Sequence, residues 1–207
     1  MKEFDIFVNI VCHSFHVFRQ YCVLYEESEK RIELLNEVAR CFFADLQNMW
    51  HEHILLDVCK LTDPSIQGKN RNMTLNYWIE HIDSRLNHTQ RQEINAAKII
   101  CDETREKVFD ARRKIIAHID YAVTSKNKSL GAISREELNY FYQQVQIIMN
   151  IIYDTLKCGP CPIDLVAQFD AKDLVERLKK AIHYDQLFGD DFMRKHEEKQ
   201  KWKYKEA

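Results

Sequence analysis

The sequence predicts an all-α protein, and three observations predict it. Apolar residues recur at spacings of three and four along most of the 207-residue chain, which places them on one face of successive helices. Only four glycines and three prolines interrupt that pattern, too few for the many tight turns of a sandwich or barrel. No run of alternating apolar and polar residues makes a convincing strand, and no internal repeat is found. Apolar residues form 45% of the chain, enough for a substantial core. The expected organisation is one helical domain over residues 1–190, a bundle of long antiparallel helices. A charged tail at 191–207 extends it as a short helical appendage.

Residues 3–25 form the first amphipathic helix, with Phe7, Val11, Phe15, Phe18, Cys22 and Tyr25 on one side. Glu26 to Glu29 mark a turn. A second pattern, Ile32, Leu35, Ala39, Phe42, Leu46, Met49, His53 and Leu56, runs from 29 to 61, as one helix or as two joined by a kink near Cys41. Asp63-Pro64 stops it, because proline disfavours helix in the residue before it. Residues 63–73 are polar and read as a surface loop. Thr74 caps a short helix through Trp78, Ile82 and Leu86. The next helical region spans Thr89 to Ile119, with a break expected near Asp102, and a loop follows at 126–131. Ser134 and Glu137 form a capping box that opens a helix through Phe141, Val145, Ile148, Ile152 and Leu156. Cys158-Gly159-Pro160-Cys161-Pro162 ends it, and Asp170 caps a last helix carrying Leu174, Leu178 and Ile182.

A net charge of −2 excludes a whole-surface affinity for nucleic acid, so any such binding must come from a local patch. The amino-terminal apolar residues are broken by Asp5, His13, His16 and Arg19, too early for an export or membrane segment. Seven cysteines, an odd number set mostly within apolar helical patterns, point to buried thiols in a reduced, cytoplasmic protein.

Chemistry concentrates in Asp110-Ala111-Arg112-Arg113-Lys114-Ile115-Ile116-Ala117-His118-Ile119-Asp120. An imidazole with a guanidinium can cleave RNA without a metal. Neutral imidazole takes the proton of a ribose 2′-hydroxyl near working pH. A planar guanidinium stabilises charge building on phosphorus oxygens. On one ideal helix, however, Arg113 lies about 140° from His118 and Arg112 about 120° the other way. Either an arginine curls over the helix end, or a second copy of the helix completes the site. The plainer reading makes His118 a satisfied helix-end histidine and Arg112 an anchor paired with an acid such as Asp57 or Asp63.

Other candidates weigh less. Cys158 and Cys161 share the thioredoxin spacing, but they follow a helix instead of starting one, so a turn with two thiols is expected. His51 and His53 face different ways, and His13 with His16 lacks further ligands, so neither a metal nor another cofactor is expected. The tail interleaves Trp202 and Tyr204 with lysines, a pattern that suits RNA as well as a solvated helix, and the helix is the reading taken.

The order Arg112, Lys114, Ala117, His118, Asp120 resembles the Arg-x-Lys-x-x-Ala-His-x-Asp motif of the HEPN superfamily, in its abortive-infection AbiU-type branch. Phe42-Phe43 and the segment Ile54 to Pro64 also resemble that branch, and the likeness covers about residues 30–155. It implies a helical bundle that dimerises so that two motifs face one cleft, cutting RNA without a metal and leaving a cyclic phosphate. His118 would be the general base or acid, and Arg113 or Arg112 the phosphate ligand, with Lys114 and Asp120 in support. The family's arginine is often followed by a small polar residue. Here arginine follows Arg112 and lysine follows Arg113, so the acting arginine stays open. The resemblance thus implies a homodimeric ribonuclease of a phage-defence or toxin–antitoxin type, restrained by an antitoxin or nucleotidyltransferase-like partner. Its rival is a catalytically silent HEPN module that binds RNA, a nucleotide or a protein.

Overall fold

Helix signals in the sequence are realised in order along the chain. A computed structural model describes residues 2–113, 133–156 and 170–199, with side chains to residue 186 in the last segment. The described helices are α1 (Lys2–Tyr25), α2 (Glu29–Thr62), α3 (Leu75–Ile82), α4 (His88–Ala111), α5 (Arg135–Leu156) and α6 (Ala171–Lys199). They belong to two compact units, one of residues 1–22 and 46–166, the other of residues 23–45 and 167–207.

In the first unit a single apolar core joins five helices. Phe7, Val11 and Phe18 of α1 are buried with Ile54, Val58 and Leu61 of α2, Trp78 and Ile82 of α3, and Ile94, Cys101 and Val108 of α4. Leu138, Phe141, Val145, Ile148 and Ile152 complete it as a near-continuous stripe of α5, as their spacing predicts. α5 packs along α4 and against α3. Lys107 near the end of α4 pairs with Glu137 at the start of α5, and Gln90 near the start of α4 donates to Asp154 at 3.2 Å, so the two run antiparallel. One buried polar pair crosses the core, between Ser14 and the Tyr142 hydroxyl at 2.7 Å.

Caps define the helix starts. The Ser134 box forms reciprocally, with Glu137 N–H donating to Ser134 Oγ at 3.1 Å and Ser134 N–H to Glu137 Oε2 at 2.8 Å. α4 opens on a second box that the sequence reading missed, Asn87 with Gln90. Thr74 caps α3 as expected, but α3 ends at Ile82 and a 3₁₀ turn at Asp83–Arg85 takes its place before Leu86. No break occurs at Asp102, because Lys98 pairs with it one turn away and the helix runs on to Ala111. The α2–α3 loop contains a miniature hairpin, Ile66–Gln67 against Asn70–Arg71, where no strand was expected. Gly68, at φ +63°, supplies the left-handed residue of its two-residue turn.

In the second unit Leu24, Leu35, Phe43 and Val175 are buried, and Tyr25 donates its hydroxyl to the Phe43 carbonyl at 2.9 Å. Asp170 Oδ1 caps α6, accepting from Lys172 N–H at 2.8 Å, and the helix reaches Lys199. Ala171 and Val175 are the buried residues of its first turns, whereas Leu174 is exposed. α2 kinks at Ala39 (φ −161°, ψ 74°), two residues before Cys41, without proline or glycine. The kink shifts the phase of the helix. The apolar residues buried beyond it are Phe43, Ile54, Leu55, Val58, Cys59 and Leu61, while Phe42 (62% exposed) and Met49 (65%) face outward, contrary to the unbroken pattern.

Of the described cysteines, Cys22, Cys59 and Cys101 are buried as expected, but Cys41 is exposed. Cys158, Cys161, the expected loop at 126–131 and the tail beyond Lys199 lie outside the described residues. Among the described residues no helix is long and apolar enough to cross a membrane.

Candidate functional site

α2 ends where its last turn meets proline. Thr62 Oγ donates back to the Val58 carbonyl at 2.6 Å, and the Asp63 N–H reaches the Cys59 carbonyl at 2.7 Å. Pro64 then forces the chain outward. Asn76 of α3 clamps the turn, its Nδ2 donating to the carbonyls of Thr62 (3.0 Å) and Asp63 (3.1 Å). The Asp63 side chain is thereby fixed inward, 11% exposed.

Two cations of α4 meet it. Arg105 and Arg112 are seven residues apart, two turns, and so share a helix face. Arg112 Nη1 donates to both carboxylate oxygens, at 3.0 and 2.9 Å. Arg105 approaches Oδ1 with Nε at 3.4 Å and Nη2 at 3.3 Å, while its guanidinium lies over the Phe109 ring at 4.7 Å. Burial alone would lower the pKa of Arg112, but hydrogen bonding to Asp63 and its charge together outweigh burial, so the guanidinium is held still more firmly charged. Below it lies Cys59, whose thiol is pushed up by burial. The Arg112 charge opposes that, Asp63 reinforces it and Arg105 opposes it more weakly.

Two guanidinium groups thus share one carboxylate. Glu106 also pairs with Arg105, at 2.9 Å, but is 71% exposed, where solvent screens it. A cleft of about 530 Å³ opens alongside, with Ser65, Asn76, Glu80, Lys98 and Asp102 on its walls and Arg105 shared with the clasp.

The predicted site residues separate by exposure. Arg112 sits in the clasp with its side chain 29% exposed, and its backbone is still right-handed helical (φ −52°, ψ −50°). Arg113 points to solvent, 61% exposed, and among the described residues makes a long 3.5 Å contact to Asp110. Asp63, not Asp57, is the acid that Arg112 meets; Asp57 pairs with His53 and Lys60, each at 3.3 Å. His118, Lys114 and Asp120 lie outside the described residues. Arg105 escaped the sequence reading, although its seven-residue spacing from Arg112 placed both on one face. Among the described residues no three His, Cys, Asp or Glu side chains are disposed to hold a metal ion.

The architecture defines a class first: an all-α bundle in which a Thr-Asp-Pro turn ties down the end of a cation-bearing helix. A family model described as AbiU2 matches residues 2–182, and the chain belongs to this HEPN family, that of abortive-infection domains. No match is found among curated proteins or among solved structures.

Proposed function

We propose that the protein is a metal-independent endoribonuclease of a phage-defence or toxin type, acting in the cytoplasm as a homodimer. The observation that carries this reading is the pair of adjacent arginines closing α4, one anchored and one exposed, in an AbiU2-family chain where His118 follows Arg113 by five residues. Neutral His118 takes the proton of a ribose 2′-hydroxyl. The 2′-oxygen bonds to the adjacent phosphorus as the phosphorus–5′-oxygen bond breaks, and the histidine of the second subunit protonates the departing 5′-oxygen. Arg112 and Arg113 bind the non-bridging oxygens, where charge builds. Lys114 adds positive potential, and Asp120 orients a neighbouring side chain. An antitoxin or nucleotidyltransferase-like protein would restrain the activity.

One observation favours a second reading, a silent HEPN module that binds RNA, a nucleotide or a protein: the strongest contact of Arg112 is internal, to Asp63. The two readings separate on incubation of purified protein with total RNA and a chelator. The first predicts fragments with cyclic phosphate ends that are lost in His118→Ala. Intact RNA, or equal cleavage by the variant, overturns it.

A further inference from the structure

We infer that Asp63 is a positioning residue, acting through Arg112 to hold a guanidinium ready for an RNA phosphate; this rests on the ribonuclease reading for its catalytic consequence. Three features lead to it. The carboxylate is buried, and Asn76 of α3 clamps the backbone of its turn, so it is a fixed point and not a swinging surface acid. It engages Arg112 through Nη1 alone, while the side chain keeps 29% exposure, so the guanidinium is anchored at one end and still reaches the surface. The second cation, Arg105, shares the same carboxylate, so Asp63 does not neutralise Arg112 alone. An unanchored arginine would spread over many rotamers, and ordering it would cost binding free energy at each encounter. Asp63 removes that cost in advance.

The test is a double-mutant cycle on Asp63→Asn and Arg112→Gln, read in two ways. For cleavage of a short RNA, Asp63→Asn should lower kcat by about tenfold or more with a smaller change in KM. In the Arg112→Gln background the same substitution should change kcat less than about twofold. For affinity, measured by anisotropy with a 2′-O-methyl oligonucleotide that cannot be cleaved this way, Asp63→Asn should weaken binding severalfold, again only when Arg112 is present. Should Asp63→Asn not fold, Asp63→Glu retains the charge but displaces it by one methylene. It should then lower kcat while leaving the melting temperature close to that of the wild type. Independent, multiplying effects of the two substitutions, or wild-type behaviour of Asp63→Asn in both assays, would overturn the proposal. Wild-type protein that binds RNA without cutting it removes the ribonuclease reading, and the affinity cycle then decides the role of Asp63 alone.

Discussion

Asp63 holds a single negative charge between two guanidinium groups, and the other carboxylate at hand, exposed Glu106, reaches only Arg105. Its removal leaves Arg105 and Arg112 partly desolvated. Asp63→Ala should therefore destabilise the fold by roughly 2–4 kcal/mol, below the full penalty of a broken buried pair because Arg112 remains part-exposed. Urea unfolding measures this, and a loss under about 0.5 kcal/mol, the level of a surface pair, would contradict it. Alkaline pH tests burial elsewhere. Burial pushes the Cys101 thiol from 9.0 to about 12, with the Asp102 charge adding to it, and raises Tyr142 as well. The folded state holds these protons more tightly than the unfolded chain, so stability is full below pH 9 and falls as pH rises above it. Unfolding midpoints measured from pH 7 to 11 should decline beyond pH 9, with a shallower slope in Cys101→Ala. A flat profile would refute the assignment.

Local rules decided what could be read from the sequence at the level of elements. The Ser134 box depends on four consecutive residues, and it formed as read. Ser134→Ala should cost about 1 kcal/mol, measurable as a lowered unfolding midpoint. A kink near Cys41 was one of the two readings of α2, but the outward face was not legible, because it depends on the backbone angles of one residue, Ala39. A helical pattern continued through that residue put Phe42 and Met49 inside, whereas the phase shift puts Phe43 and Ile54 there. The expected break at Asp102 failed for the opposite reason, since a polar residue facing solvent with a lysine one turn back supports a helix.

For the whole molecule, the sequence carried the all-α class because helical periodicity with few breakers leaves little else. The site was half legible. The projection of Arg112 toward the apolar stripe singled out Asp57 and Asp63 as partners, but choosing between them needed the fold, which joins residues 49 apart. The proposed mechanism further requires two subunits, so sedimentation should show a dimer at micromolar concentration, and a monomer that still cuts RNA would remove the shared cleft. The central claim is attack by a ribose 2′-oxygen assisted by His118. It is tested most directly with a chelated reaction on one RNA oligonucleotide and on its twin bearing a single 2′-deoxy residue at the cut site. The account predicts a cyclic phosphate product from the first and no cut in the second at that position. Equal cleavage of the two would contradict it.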